Sequence, residues 1–589
     1  MNRNQNSHFS KNPQVDIQRS RFDRSHSVKL SGNVGDLIPF YCDEVLPGDT
    51  FQIDTSKLVR LQTLVTPVMD NIYLDTYYFF VPCRLVWEHW RELMGENTSA
   101  PWFPEVEYSV PQVTSPLPSG GGSSESGWAE GTIADYMGIP PGVSGLSISA
   151  LPFRAYALIY NEWFRDENLQ TPQSVPVGDD VTVGSNDSSG LFQAVKGGYP
   201  LKAGKFRDYF TSCLPSPQKG PDVLLPLGHV APVVSGSTLA NGYGYVDPEF
   251  YNKQFKNPSS SALMASSMAF YGLAPGETEL TELGEGRNGS LVAFNGRLGD
   301  RVDSGTQSNL SLFPANLWAD LQNATAATIN QLRLAFQIQR IYEKDARGGT
   351  RYIEILSNHF GVTSPDSRLQ RPEYLGGNRM LINVNQVVQN SESATTPQGT
   401  TTAYSLTVDT HSDFTQSFVE HGFLIGLCVA RYDHTYQYGI ERFFSRKTRF
   451  DYYWPSLANI GEQPVYNREI YAQGTSVDDG VFGYQEAWAD YRYKPNRVCA
   501  EMRSSSKKSL DAWNLADDYA DLPKLSPEWI VEDKTNVDRA LAVTSKVANQ
   551  FFGDFYIKNL CTRPMPVFSI PGLIIINIFR FSLIYFLTF

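Results

Sequence analysis

Residues 73–81 read YLDTYYFFV and constrain this chain more than any other stretch. The run is rich in aromatic and β-branched residues, as a strand is, and it stops at Pro82. Its aromatic content exceeds what a small core needs, so it implies large faces to be covered. A Trp-rich segment with helical spacing follows, from Cys83 to Asn97. A second run, GFLIGLCV over 422–429, reads as a buried strand. Neither run contains a metal, nucleophile or phosphate motif.

Other strand signals lie at Leu58–Val65, expected to be partly covered on both faces, and at Tyr404–Thr410, Phe423–Tyr432, Val465–Ala472 and Trp488–Tyr493. Leu151–Leu169 reads as an amphipathic helix, with Phe153, Tyr156, Ile159, Tyr160, Trp163 and Phe164 on one face. A membrane-binding stripe is the alternative, but Glu162, Asp166 and Glu167 would repel an anionic surface. Asp320–Arg347 is a second helix, capped by Asp320 or Asn323 and stopped by Gly348-Gly349. Its wide apolar stripe (Ile329, Leu332, Leu334, Phe336, Ile338, Ile341, Tyr342) predicts burial under other elements. Residues 111–127 should be a loop. No regular βαβ alternation is visible, and 36 Pro with 46 Gly favour a loop-rich β protein.

The expected division is an N-terminal arm and lead-in over 1–50, the first part of a β-core over 51–220, an insertion over 221–315, and a second part of the core over 316–572 carrying the helical insertion 320–347. An apolar extension follows over 573–589. The insertion is marked by a shift to Gly, Ser and Asn and is too long for an ordinary loop. Within the extension, Ile574–Phe589 is shorter than the ~20 residues a spanning helix needs. Arg580 near its middle would cost roughly 2.5–3.5 kcal/mol in a membrane, so no membrane insertion is expected.

No HExxH, GxSxG or GxGxxG motif occurs. Gly198–Lys205 misses the phosphate-loop spacing and has Phe206 where Ser or Thr should hold magnesium. His411, Asp413, His421, Asp433 and His434 form a loose cluster with no known metal-ligand spacing. No cofactor, catalytic or metal residue is assigned. The six cysteines form no Cys-x-x-Cys pair and read as buried thiols from a reducing cytoplasm. The amino terminus has no apolar segment of a signal peptide.

A net charge of −13 argues against a surface that grips nucleic acid everywhere. Two local basic stretches remain as candidates. Arg3, Lys11, Arg19, Arg21 and Arg24 lie in an extended arm over 1–35, whose alternative is a merely disordered tail. Arg442, Arg446, Lys447 and Arg449 alternate with Phe443, Phe444 and Phe450, as single-strand binding requires. In one continuous strand these cations would point both ways, so a single basic face needs a bend. An intersubunit or solvated role is the alternative.

Five blocks together resemble the major capsid proteins of the microviruses, the small icosahedral single-stranded DNA phages, and specifically the gokushovirus branch. They are Tyr73–Asn97, Asp208–Gly220 (DYFTSCLPSPQKG), Ala324–Thr350, Ser364–Gly377 (SPDSRLQRPEYLGG) and Arg563–Leu573 (RPMPVFSIPGL). The resemblance implies a mainly β fold, an eight-stranded antiparallel viral jelly roll with long helix- and loop-containing insertions. It implies a sixty-copy T=1 shell around circular single-stranded DNA, located in the virion and assembled in the host bacterial cytoplasm. Implied partners are a small basic DNA-binding virion protein, a scaffolding protein and a host-cell surface receptor met by an insertion rising as a protrusion. Family members end shortly after a Pro-Gly-Leu like 571–573, so the tail beyond reads as an extension the fold does not need. A carbohydrate-binding or carbohydrate-processing β-sandwich is the alternative from another class, suited by 31 Tyr and 10 Trp. A viral spike or receptor-binding protein is a third.

Overall fold

The computed structural model describes residues 18–96, 107–117, 127–221, 223, short strands between 233 and 319, and residues 329–349, 351–361, 370–395 and 397–568. The chain forms two compact units. One comprises 1–219 with 342–589, the other 220–341.

Nine strands build the first unit's two main sheets: β1 Ser20–Asp23, β2 His26–Gly32, β3 Ile38–Val45, β4 Thr50–Leu61, β5 Ile72–Pro82, β6 Glu373–Leu381, β7 Thr407–Ser417, β8 Gly422–Tyr432 and β9 Phe551–Arg563. Both β1 and β2 pair antiparallel with β9, so they act as one strand interrupted at Arg24 and Ser25. Sheet one runs β1/β2–β9–β4–β7, and sheet two runs β3–β8–β5–β6.

A core packs between the sheets. It draws Phe51, Ile53 and Val59 from β4, Leu74, Tyr78 and Phe80 from β5, Leu424 and Cys428 from β8, and Phe551, Phe555 and Ile557 from β9. The opposite face of sheet two is covered as well. Phe79, Val81, Ile425, Leu427 and Val429 pack there with Trp87, Trp128, Phe153 and Tyr156. This is why β5 and β8 are mostly apolar and why the buried Asp75 of β5 is ion-paired: a strand buried on both faces has no solvated side for polar residues. Among the described residues sheet one is covered on one face only, and β9 alternates buried Phe551, Phe555 and Ile557 with exposed Phe552, Tyr556 and Lys558.

Helix α1 (Leu151–Ile159) covers sheet two through Phe153, Tyr156 and Ile159. It continues as a π turn over Tyr160–Phe164 and ends at an extended Arg165, short of the expected Leu169. The π turn brings Trp163 to 5.5 Å from Phe79 and Phe164 to 5.2 Å from Tyr77, ring to ring. The aromatic stripe is therefore core, and no membrane-facing stripe remains on it. Among the described residues no helix is long and apolar enough to cross a membrane.

Several expectations need correction. The arm cannot extend to residue 35, because Ser20–Asp23 and His26–Gly32 already pair with β9; residues 1–17 lie outside the described residues. Leu58–Val65 is not covered on both faces: β4 alternates, with Val59 and Leu61 buried and Leu58 and Arg60 exposed. In place of Tyr404–Thr410 the chain changes partners at Leu406, from the Thr401–Ser405 hairpin strand to β7. The Val465–Ala472 strand stops at Tyr466, whose N–H donates to Glu469 and opens a helical turn over Asn467–Ile470. Trp488–Tyr493 is a turn, since Trp488 takes a left-handed φ of 66°. A short strand, Gln112–Thr114, falls inside the expected loop 111–127. The second helix is described from Ile329 to Gly348, and its Leu334 and Phe336 are more than half exposed, so the wide stripe is not buried within the chain. The second unit also takes in part of this helix, assigned in the sequence to the core, and reaches Ile341 rather than 315.

The two-sided burial of sheet two makes a direct prediction. Phe79→Ala should destabilise the purified subunit by about 3–5 kcal/mol, whereas Tyr556→Ala, on the open face of sheet one, should change stability by about 0.5 kcal/mol or less. Denaturant titration of both variants checks this, and equal losses would show that sheet one is covered too.

Candidate nucleic-acid interface

The basic–aromatic stretch 442–450 is not a strand. It folds as two 3-10 turns, Arg442–Ser445 and Arg449–Asp451. The Asp451 carboxylate creates the bend by accepting from the N–H groups of Lys447 (2.8 Å) and Thr448 (2.7 Å). These hydrogen bonds hold its carboxyl below the usual carboxylate range.

The bend separates the four cations. Arg442 turns inward, donating to the Pro464 carbonyl at 2.7 Å and approaching Glu469 at 3.5 Å. Burial pushes the Glu469 carboxyl up despite Arg442, and its other oxygen accepts from Tyr209 at 2.8 Å. Arg446 is nearly buried, pairs with Asp490 and stacks on Tyr491 at 4.3 Å. These two arginines are held by partners within the fold. Lys447 and Arg449 stay exposed, with Arg449 stacked 4.6 Å over Trp454.

The amino-terminal candidates divide too. Arg24 forms a two-pronged ion pair with Asp43, with Nη2 to Oδ1 at 2.9 Å, and is taken up by the fold. Arg19 and Arg21 are exposed, and Arg3 and Lys11 lie outside the described residues. Sequence reasoning missed Lys494, Arg497 and Arg503. They line a cleft of about 240 Å³ with Phe443, Phe444 and Tyr493. The alternating YRYK at 491–494 is the signal the sequence offers, and its alternation reads equally as a strand.

The loose histidine cluster dissolves in three dimensions. Among the described residues no group of three His, Cys, Asp or Glu could hold a metal ion. His434 is instead buried between two carboxylates, with Nδ1 2.9 Å from Asp517 and Nε2 3.0 Å from Glu532. Both ring nitrogens must then donate, which requires the imidazolium. Burial alone would lower its pKa, but the two carboxylates outweigh it and raise it to about 10. Asp517 also takes Nδ2–H of Asn536 at 2.8 Å and the Tyr519 hydroxyl at 2.7 Å. The unit pins the segment 517–536 to the end of β8. All six thiols are free; Cys499 is exposed and Cys42 half-buried, so the expectation of six buried thiols holds for four.

Two layered antiparallel sheets with a core between them define a β-sandwich scaffold. The chain belongs to the capsid protein (F protein) family, whose match covers residues 10–573. It is 42% identical to capsid protein VP1 of Chlamydia phage 1 over 96% of this chain and 97% of that protein. It is 42% identical to capsid protein VP1 of Spiroplasma virus 4 (95% and 96% covered) and 40% identical to that of Bdellovibrio phage phiMH2K (96% and 97%). It is thus a gokushovirus-type microvirus capsid protein, a component of the virion and not an enzyme. The carbohydrate-processing alternative falls with this assignment.

The His434 unit predicts a pH profile. Its folded pKa lies above the ordinary histidine value near 6.5. Its stabilisation is therefore complete below about pH 6.5 and is lost as pH rises toward about 10. Asp517, held below the usual range, contributes above its ordinary value of 3.8 and loses that contribution as pH falls. Thermal unfolding of the subunit should be flat from about pH 4 to 6.5 and decline above it. His434→Gln should cost about 3–5 kcal/mol at pH 6 and remove most of the alkaline decline. An unchanged slope in that variant would assign the decline to other groups.

Proposed function

We propose that this chain is the repeating subunit of a sixty-copy T=1 icosahedral shell around circular single-stranded DNA, built on an eight-stranded antiparallel jelly roll. The observation that carries the reading is strand order. With β1/β2 counted as the first strand, sheet one runs first, eighth, third, sixth, and sheet two runs second, seventh, fourth, fifth. Such interleaving is what two Greek keys folded face to face produce, the pattern of viral jelly rolls. The long connections then fall between strands: 83–372 between β5 and β6, and 433–550 between β8 and β9. Loops of that size can be shaped into contacts with several neighbours while the sheets stay rigid.

The second unit, 220–341, is the candidate for an outward protrusion that meets a host receptor. It contains the Gly/Ser/Asn-rich insertion and folds as a unit of its own. The amino-terminal cations Arg3, Lys11 and Arg19, with Arg21 at the start of β1, are the candidates for contact with the packaged DNA, helped by a small basic virion protein because the chain itself is acidic. A scaffolding protein would act during assembly. The tail beyond Leu573 lies outside both the family match and the described residues; it is proposed to be dispensable.

Electron microscopy of particles from the expressed chain, with its scaffolding partners, tests the shell. Closed sixty-copy particles are expected, and open sheets or small oligomers alone would overturn the reading. Replacing 221–315 by a short linker should leave particle yield within about twofold while abolishing adsorption to host cells; retained adsorption would assign attachment elsewhere. Stopping the chain after Leu573 should leave particles intact, and their loss beside normal full-length particles would make the tail structural.

A further inference from the structure

The turns that follow Ile440 expose an unusual run of large side chains. Phe444 and Phe450 are each 69% exposed, Tyr452 and Tyr493 about half. The run is one surface rather than scattered residues. The tilted Phe443 and Phe444 rings lie 4.0 Å apart, Tyr452 and Tyr491 both lie against Arg446, Phe443, Phe444 and Tyr493 meet around the 240 Å³ cleft, and Phe450 lines a neighbouring hollow that shares Arg442 and Glu469 with it. Contiguous apolar patches of this kind are rare on isolated subunits and mark contact sites. Phe, Tyr, Trp and Arg together are the composition of an interface core, where a cleft receives a large side chain of the partner.

Two occupants suit aromatic surface with cations, unpaired DNA bases and another protein. The structure weighs against DNA. Of the four cations in 442–449, Arg442 and Arg446 are spent on Glu469 and Asp490. Across the cleft, Lys494 and Arg497 share the carboxylate of Glu441, at 3.1 and 2.7 Å. A track for phosphates needs free cations along its length, and too few remain between the rings. A protein partner needs only a modest positive surplus, which Lys447 and Arg449 supply.

We propose that this patch, from Phe443 to Trp454 with Tyr491 and Tyr493, is a subunit–subunit contact occupied by a second copy of this chain. The proposal rests on the shell reading above. Charge also sets the kind of contact. Five of the seven Arg and Lys in 441–454 and 491–497 are paired with Glu469, Asp490, Glu486 and Glu441, which leaves Lys447 and Arg449 as the positive surplus in a chain of net charge −13. An isologous two-fold contact would bring Lys447 and Arg449 against like charge. The patch therefore fits a heterologous contact with a different, acidic face of the neighbour, the type of contact that closes rings.

The test compares Phe444→Ser with Phe450→Ser, alone and combined, against the full-length wild-type chain. Both side chains are exposed, so the subunit should unfold at the wild-type temperature while particle yield falls at least tenfold. A second measurement does not depend on a variant: oxidative footprinting of Phe444, Phe450 and Tyr493 in subunits, in DNA-free shells and in filled particles. Protection in DNA-free shells is expected. Normal yield of variant particles that lack DNA, or protection only in filled particles, would overturn the proposal in favour of a DNA contact. Normal yield of filled variant particles would overturn it in favour of a solvent face. If the wild-type chain forms no particles, the shell reading fails and this contact falls with it.

Discussion

The pairing of β5 with β8 is the constraint on which the rest of the structure depends. Ile72 to Pro82 lies antiparallel to Tyr432 to Gly422 through eleven residue pairs, in the middle of a sheet buried on both faces. Away from water every backbone N–H and C=O there must find a partner, and a one-residue slip would exchange the two faces along the strand. The faces are not interchangeable. Tyr78 and Phe80 fill the space between the sheets, and Phe79 and Val81 meet the outer layer. Gly426 fixes the register further, because a Cβ there would come within 2.9 Å of both the Tyr78 ring and the Tyr41 side chain.

Charge reinforces this pairing at one end of the sheet. Asp75 on β5 is almost fully buried and bonded by Arg379 of β6, at 2.6 and 3.0 Å, and by Arg431 of β8. Burial would raise its carboxyl, but the two guanidinium groups outweigh that and hold it below the usual range. Phe206, from a distant loop, lies 4.4 Å from each of the same guanidiniums. Three adjacent strands and a connecting segment thus meet on one carboxylate. Removing it would leave two partly buried cations unpaired, a costlier state than an apolar residue there from the start.

The fold was legible where a single periodicity governs a segment. The runs at 73–81 and 422–429 announced strands with faces to be covered, and the helical spacing from Phe153 to Tyr160 announced an amphipathic helix. Reading failed where a side chain outside the local pattern decides the geometry. Glu469 turns the chain at Tyr466, Asp451 folds 447–451 into a turn, and Trp488 adopts a left-handed conformation within an aromatic run that looks like a strand. The same limit applies at the candidate site. Residue type marked Arg442, Arg446, Lys447 and Arg449 alike, but only the positions of Glu469 and Asp490 separate structural cations from exposed ones. Those partners lie 27 and 44 residues away, beyond any motif.

That separation leaves an acidic chain with an aromatic surface on which most of the neighbouring cations are already paired. Isolated cations on a stacking surface would bind any single strand, including strands other than the packaged one. Ion pairing with Glu469, Asp490 and Glu441 removes most of that attraction yet leaves the aromatic area. What remains is apolar surface with directional hydrogen-bonding edges, which gains free energy by excluding water against a shaped partner. Each contact can be weak when a closed shell repeats it, because closure makes the later contacts intramolecular and raises their effective concentration. A subunit held by many modest contacts can also correct errors, since a misplaced copy satisfies few of them and dissociates. The physical division is between a core with one permitted register and a surface whose individual attractions are kept small.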